Sequence, residues 1–347
     1  MPLEDRRART VTVSIPPDAA GIRIDAYLAK RFSYRTQLQW QEQMTLATLR
    51  VNEAPVAPDY LLEQGNVIAY DAGQRAEPPV PKDWQIAYED PSMLVVNKPG
   101  GLPCHPSGAY FAHTLSEMLR SSQAEARIAN RLDRETSGLV VFGLSKPAAG
   151  AIGKQFAART VRKEYLVLVH GDFPDELEAE GFLERDTDCE VRKKRRFVTT
   201  PAAESAESAT TRFRLISRGS GLSLVQALPH TGRLHQIRAT LCSLGFPVVG
   251  DKIYGLDPGF FLRFIGDRLT AEDETRLIMP HQALHAWRLG LWSPHSGEEI
   301  EVAADLPATF LAAIARAGIR AEACEFRSLA APQGQDGSDA NGDFGDG

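Results

Sequence analysis

The chain has 347 residues, more than a single hydrophobic core usually organises, so its length predicts two domains. Hydrophobic residues make up 43% and charged residues 24% of it, as in ordinary soluble globular proteins. No apolar run approaches the ~20 residues of a membrane-spanning helix, which argues against a membrane protein. Residues 1–9 are charged and lack the apolar stretch of a secretory signal, so we expect a cytoplasmic protein.

The four cysteines are scattered along the chain without C-x-x-C spacing: Cys104, Cys189, Cys242 and Cys324. This pattern favours neither a zinc site nor a disulfide framework and suits a reducing compartment. We therefore expect no bound metal, and we expect each cysteine to be a small buried hydrophobe.

The net charge of −6 argues against a polyanionic partner only if the charges are evenly mixed, and they are not. Acidic residues concentrate at 172–190 and 336–346, and basic residues at 192–196. For a partner within a Debye length of ~8 Å, the sign of the local charge matters more than the net charge of the chain. A nucleic-acid partner therefore stays open.

The N-terminal part of the chain predicts a compact α/β module over residues 21–75. Residues 1–20 show no periodicity and are expected to form a loose lead-in or an edge strand. Helical spacing begins near residue 22, where Ile24, Tyr27 and Leu28 share one stripe, and a second helix is expected over 36–44. Strand-like segments follow at 48–52 and 67–70.

This arrangement resembles the small RNA-binding domain named after the fourth protein of the small ribosomal subunit. The matching features are Arg-Ile-Asp at 23–25, Arg-Val-Asn at 50–52 and Gly-Asn-Val-Ile at 65–68. The second helix departs from the pattern, because it is rich in glutamine where that family usually has arginine and lysine. Two roles stay open for the module, RNA binding and packing alone.

A second domain is predicted over residues 84–325, after a linker over 76–83 in which three prolines break both helix and strand. Strands are expected at 86–88, 93–97, 139–144, 163–169, 222–228 and 281–291, and helices at 114–119, 145–158 and from 234. Residues 172–210 are polar and charged and are expected to be a long excursion from the fold. The acidic segment 326–347 is expected to be a disordered tail.

The stretch from Asn130 to Gly138 is a charged, turn-prone loop that leads directly into an apolar run at 139–142. Positions two apart in extended backbone share a face, so Arg131 and Asp133 are predicted to face one cleft. Taken by itself, the stretch is better explained as a solvated surface loop.

Several common catalytic motifs do not occur in the sequence, including the Walker loop, the dinucleotide-binding glycine pattern, His-Glu-x-x-His and the Gly-x-Ser-x-Gly elbow. Their absence argues against nucleotide hydrolysis, dinucleotide redox chemistry, zinc proteolysis and common ester hydrolysis. Polar and aromatic clusters remain at 97–99, 130–138, 163–165 and 231–238. Each lies at an element boundary, where binding groups tend to collect.

Together these clusters resemble the catalytic domain of the RluA-type pseudouridine synthases, which isomerise uridine in RNA. Six motifs stand in family order, at 94–102, 131–139, 163–165, 231–238, 244–255 and 282–286. One position departs, since Asn130 precedes Arg-Leu-Asp where the family usually has histidine. The resemblance implies an α+β fold with a mixed, mainly antiparallel central sheet and flanking helices. It also implies a monomeric enzyme without cofactor, whose partner is ribosomal or transfer RNA.

The same resemblance implies roles for individual residues. Asp133 is the essential catalytic aspartate, Arg238 the cation that keeps it ionised, and Tyr165 the ring that stacks on the target uracil. Three further side chains are expected to contact the RNA: Arg131, Lys98 and Arg233.

The reaction breaks the bond between the ribose anomeric carbon and N1, turns the uracil, and rejoins it through C5. A carboxylate could attack the sugar, attack the base, or remove the 2′ proton, and the residues alone leave these routes open. An alternative function is an RNA-binding or RNA-folding chaperone with an inactive site. Asn130 and the weakly basic N-terminal module prompt that alternative.

Overall fold

The computed structural model describes residues 10–32, 35–71, 77–191 and 193–319. The chain divides into two compact units, residues 1–78 and 79–347. The tail predicted over 326–347 lies outside the described residues, as does Cys324. Within the described residues, none of the helices combines the length and apolar character needed to cross a bilayer.

The part of the first unit that the structure describes contains two α-helices, a 3-10 helix at Pro17–Ala19 and a four-stranded antiparallel sheet. The helices are α1 (Ile24–Arg31) and α2 (Gln37–Thr45). The strands are β1 (Thr10–Ser14), β2 (Leu49–Val51), β3 (Ala54–Pro55) and β4 (Val67–Asp71), in the order β1-β4-β2-β3. Helix α2 starts at a capping box, in which the Thr36 side chain accepts from the backbone of Gln39 while Gln39 accepts from Thr36.

Strand β1 shows that this module begins before residue 21, its predicted start. Residues 10–14 pair with β4 along their whole length, from Thr10 opposite Asp71 to Ser14 opposite Val67. The expected boundary at residue 21 therefore cuts through the module, and the edge-strand interpretation of the lead-in describes residues 10–14. The short polar alternation Thr-Val-Thr-Val-Ser was too brief to separate an edge strand from a loose segment.

The glutamines of α2 have partners inside the module. The carboxylate of Asp25, which is fully buried, accepts hydrogen bonds from Arg23, Gln37 and Gln41 at 2.8–3.0 Å. The hydrogen bond from Arg23 holds the pKa of Asp25 well below its usual range. Two of the glutamines that replace basic residues in this helix thus satisfy a buried charge, which supports a packing role for that face.

The second unit is built on one large sheet with helices packed on it. The strands are β5 (Gln85–Glu89), β6 (Met93–Lys98), β7 (Arg127–Ile128), β8 (Ser137–Gly143), β9 (Arg162–His170), β10 (Glu176–Arg185), β11 (Arg195–Val198), β12 (Glu207–Gly219), β13 (Leu222–Pro229), β14 (Leu284–Trp292) and β15 (Glu299–Ala303). The helices are α3 (Leu115–Arg120), α4 (Lys146–Ala157), α5 (Gln236–Ser243), α6 (Phe260–Ile265), α7 (Ala271–Leu277) and α8 (Ala308–Arg316).

The sheet order is β11-β10-β12-β13-β9-β14-β8-β6-β5, with β15 added on β14 and β7 on β8. Every pairing is antiparallel except β8 with β14, which is parallel. The predicted α+β class with a mixed, mainly antiparallel sheet is confirmed.

The prediction for residues 172–210 is wrong, because most of this segment belongs to the sheet. Strand β10 places Glu176 opposite Arg214 and Glu178 opposite Arg212 of β12, so that opposite charges face each other across the strands. The other face of β10 buries small residues such as Ala179. Alternation of glutamate with alanine and glycine carries little hydrophobic signal, which is why the sequence resembled an excursion.

One part of the core of this unit joins α5 and α8 to the central strands. Ile237 and Leu241 of α5 join Val167 of β9, Val225 of β13 and Phe310 of α8 in one cluster of buried side chains. Helix α5 starts at Gln236, two residues later than predicted. Of the cysteines, Cys104 is buried as expected, whereas Cys189 and Cys242 are half-buried.

Candidate active site

The loop over residues 130–138 is tied to the central sheet at both ends. At its start, the backbone N–H of Val141 in β8 donates to the side-chain oxygen of Asn130 at 2.7 Å. At its end, the hydroxyl of Ser137 lies 2.9 Å from Nδ1 of His285, where β8 and β14 run parallel. Asn130, the one departure from the family motif, thus anchors the loop to β8.

Asp133 lies on this loop with 24% of its side chain exposed, and it faces the start of α5. Nη1 of Arg238 donates to its Oδ2 at 2.8 Å. Burial alone would raise the pKa of Asp133, but the charge of Arg238 overcomes this effect and holds the pKa below its usual range. The carboxylate is therefore ionised at neutral pH although most of it is shielded from water.

Arg238 is held by a second carboxylate. Its Nε and Nη2 donate to the two oxygens of Asp251 at 2.6 and 2.8 Å, and its guanidinium carbon lies 4.9 Å from the ring centre of Tyr254. Burial alone would lower the pKa of Arg238, but Asp251 and Asp133 raise it above its ordinary value. This bidentate pairing fixes the plane of the guanidinium, so Nη1 is directed at Asp133 in one orientation.

Tyr165 joins Asp133 and Arg238 in lining a cleft of about 110 Å³. It lies in β9, directly opposite Ala227 of β13 and Ala286 of β14. Opposed residues in antiparallel strands project to the same face, so two methyl groups flank the ring and leave space beside it. Burial, and to a smaller extent the charge of Asp133, raises the pKa of Tyr165, which is therefore a protonated phenol at neutral pH.

A larger lobe of about 350 Å³ shares Arg131, Asp133, His235 and Arg238 with this cleft. Arg131 is exposed and lines both lobes, as expected for a side chain two positions from Asp133. Apolar and aromatic side chains contribute to the larger lobe, among them Tyr110, Phe261 and Ile265.

Arg233 also lines the smaller lobe, where it is half-buried. Its Nε donates to the carbonyl oxygen of Ser208 at 3.2 Å, and its Nη1 lies 3.4 Å from the carboxylate of Glu207. This partly neutralised guanidinium stands at the edge of the cleft.

Lys98 does not reach the cleft, and the expectation that it contacts RNA does not fit its placement. The side chain is fully buried, and its ammonium donates to the carbonyl oxygens of Pro99, Leu102 and Arg134 at 2.9, 2.9 and 3.2 Å. Burial lowers the pKa of Lys98 to about 8. Lys98 instead connects the turn after β6 to the backbone of the 130–138 loop.

His235 is a cleft residue that the sequence analysis did not single out. Its Nε2 lies 3.8 Å from Oδ1 of Asp133, and its Nδ1 lies 2.9 Å from the hydroxyl of Tyr254. A signal was present in the sequence, because His235 lies within the motif at 231–238 that also contains Arg233 and Arg238.

Two residues of the basic run at 192–196 are paired with acidic residues. Lys194 lies 3.5 Å from Asp186, and Arg196 lies 2.8 Å from Glu184. Lys193, by contrast, lines the larger lobe. Among the described residues, no group of three or more His, Cys, Asp or Glu side chains is arranged to hold a metal ion.

Known proteins that are similar to this chain are named as pseudouridine synthases. The family described as RNA pseudouridylate synthase matches residues 92–243. The chain is 31% identical over 311 residues to ribosomal large subunit pseudouridine synthase D of Nitrosomonas europaea, covering 86% of this chain and 85% of that protein. It is 33% identical over 237 residues to the mitochondrial tRNA pseudouridine(32) synthase of Saccharomyces cerevisiae, covering 67% of this chain and 50% of that protein.

A solved structure leads to the same family. Human RNA pseudouridylate synthase domain containing 1 aligns with a TM-score of 0.53 and 28% identity, over 67% of this chain and 87% of that chain. The sequence relatives, the fold and the motifs at the cleft agree. This chain belongs to the RluA-type family of RNA pseudouridine synthases.

Proposed function

We propose that this protein converts specific uridines of structured RNA to pseudouridine, with Asp133 as the catalytic residue. The observation that carries the proposal is the shielded carboxylate of Asp133, held ionised by Arg238 at 2.8 Å in the cleft that Tyr165 also lines. Uridine has to leave the RNA stack to enter such a cleft, as bases do in enzymes that act on a nucleobase.

The contacts of Asp133 distinguish its two oxygens. Oδ2 accepts from Arg238 at 2.8 Å, whereas Oδ1 accepts no hydrogen bond from this arginine. Oδ1 is therefore the oxygen available to the substrate. Attack on the anomeric carbon, attack on the base and removal of the 2′ proton all require this oxygen to be ionised.

Tyr165 is assigned a stacking role. Its raised pKa keeps the proton on the phenol, so in the resting site it is a poor base for the proton that C5 loses. A flat protonated ring between two alanines suits contact with the face of the extruded uracil. Base–aromatic stacking contributes about 1–3 kcal/mol, which helps to offset the unstacking of the uridine.

Arg131 and Arg233 line the cleft and are proposed to contact the RNA. Arg131, which is exposed, is placed to meet a phosphate or to fill the space left by the uridine.

We further propose that the protein acts in the cytoplasm as a monomer without metal or cofactor. Treatment with a chelator should then leave the activity unchanged. In size-exclusion chromatography the protein should elute at the volume expected for one chain.

Ribosomal RNA of the large subunit is the proposed first substrate. The relative named for that RNA matches 86% of this chain, whereas the relative named for transfer RNA matches 67%. Mapping pseudouridine in total RNA from a deletion strain tests the choice. A site lost from transfer RNA, with ribosomal RNA unchanged, would contradict it.

The activity itself is tested by tritium release from RNA that carries [5-³H]uridine, using the full-length protein. We expect release with the native chain, and none with Asp133→Asn, which should still bind RNA. Turnover in Asp133→Ala would refute the assignment of this residue. Absence of release from every cellular RNA would favour the RNA-binding or chaperone alternative, for which the described cleft residues offer no support.

A further inference from the structure

The imidazole of His235 stands between Asp133 and Tyr254, and the proposed reaction leaves it without a role. Its side chain is 9% exposed, and it lines both lobes of the cleft. Nε2 lies 3.8 Å from Oδ1 of Asp133, the oxygen that Arg238 does not bind. The ring thus approaches the one part of the carboxylate that is open to the substrate.

The backbone of His235 is in the left-handed region, with a φ of +58°, immediately before the first residue of α5. Such a conformation is uncommon for a residue with a side chain, although asparagine, aspartate and histidine adopt it more readily than others. Strained backbone of this kind persists where the surroundings impose it, and it is concentrated at functional sites. Here the conformation directs the imidazole into the cleft.

Tyr254 selects one tautomer of the ring. The Tyr254 hydroxyl accepts the backbone N–H of Arg195 at 2.9 Å, and its other contact is Nδ1 of His235 at 2.9 Å. Since a backbone N–H can only donate, Nδ1 is the acceptor for the hydroxyl proton, and a buried hydroxyl without an acceptor is unfavourable. The proton of the neutral ring is then on Nε2, the nitrogen that faces Asp133.

We propose that His235 is a positioning residue for Asp133, in which a neutral imidazole directs its Nε2–H at Oδ1 while Arg238 holds Oδ2. At 3.8 Å the N–H attracts the carboxylate and limits its rotation, yet it leaves Oδ1 without a short hydrogen bond that the substrate would have to break. This inference rests on the proposed isomerase activity of the same site.

The ring has to stay neutral for this role, and its surroundings favour the neutral form. Burial, and next the charge of Arg238, lowers the pKa of His235 to about 4, although Asp133 opposes the shift. The charged and titratable groups that face the ring are Asp133, Arg238, Asp251, Lys193 and Tyr254. The activity of the native enzyme should therefore show no protonation step near pH ~6.5, the ordinary histidine value.

The test compares His235→Asn, Tyr254→Phe and the double variant with the native chain, using steady-state tritium release. Asparagine tolerates the left-handed backbone, so His235→Asn keeps the turn while shortening the polar group. We expect kcat to fall by about 10- to 100-fold with KM for RNA changed less than ~2-fold, as for a misplaced catalytic group. The acidic limb of kcat/KM should move to higher pH, because the N–H favours the ionised carboxylate.

Tyr254→Phe should lower kcat in the same way, and the double variant should be no worse than His235→Asn, since the hydroxyl of Tyr254 acts on Asp133 only through the imidazole of His235. Replacement of the exposed His295 by asparagine is the matched control and should leave every parameter unchanged. Native kcat and an unshifted pH profile in His235→Asn, or additive losses in the double variant, would overturn the inference. Failure of the proposed function would differ, because the native chain itself would then release no tritium.

Discussion

Replacing Arg238 by methionine removes the cation that Asp133 and Asp251 share. Opposite charges about 4 Å apart attract by about 4 kcal/mol at the effective dielectric of a protein site, and breaking a buried pair typically costs about 3–5 kcal/mol. Both carboxylates lie within 2.8 Å of the guanidinium. We therefore expect Arg238→Met to lower the free energy of unfolding by about 3–5 kcal/mol at neutral pH, measured by urea denaturation.

The pH dependence of this loss has a definite sign. In the native chain the pKa values of both aspartates are lowered, so their contribution to stability is present above the unfolded-state pKa and declines as the pH falls. Without the cation, burial raises both pKa values, and the variant is stabilised as acid neutralises the carboxylates. The difference in unfolding free energy between native and variant chains should therefore shrink between about pH 7 and pH 4.5.

Two further variants separate stability from catalysis. Adding Asp251→Leu to Arg238→Met replaces a buried ion pair by apolar side chains, which often restores stability. The double variant should recover most of the unfolding free energy but no activity, because Asp133 still lacks its cation. Arg238→Lys keeps the positive charge but loses the planar guanidinium that binds two carboxylate oxygens at once. Its free energy of unfolding should therefore lie between those of Arg238→Met and the native chain. A loss below ~1 kcal/mol in Arg238→Met, or a loss that grows in acid, would refute the reasoning.

Other substitutions test single contacts. Lys98→Met leaves three backbone carbonyls without their ammonium donor and should lower the free energy of unfolding by about 2–4 kcal/mol, measured by urea denaturation. Because the pKa of Lys98 is lowered to about 8, the stability of the native chain relative to this variant should rise as the pH increases from 8 to about 10. Gly138→Ala, at a φ of +109°, would press its methyl into the backbone of Ala286 and should yield little folded protein. Gly150→Ala, in α4 with open space around it, should be neutral or stabilising by about 0.5–1 kcal/mol in the same assay. Tyr165→Leu should lose about 1–3 kcal/mol more transition-state stabilisation than Tyr165→Phe, calculated from the kcat/KM values of the two variants. Equal losses in the two variants would contradict stacking.

Local sequence patterns were sufficient to predict the elements with strong periodicity and the family of the second unit. The apolar runs at 139–142 and 163–169 are strands of the central sheet, and the Ser145 cap starts α4. Contiguous motifs also named Asp133, Tyr165 and Arg238, which the structure brings to one cleft. Signals of this kind are local, so they survive without knowledge of the fold.

The pairing of distant segments and the burial of individual charges could be read only from the folded chain. Strand β10 pairs along most of its length with β12, where its glutamates lie opposite arginines that are far away in the sequence, a match that no local pattern displays. Lys98 has a polar sequence signature, yet the carbonyls of two separate loops enclose it. Asp251 and His235 gain their importance from the position of Arg238 and Asp133. Burial and pairing depend on contacts between residues far apart in the chain, and these arise only when it folds.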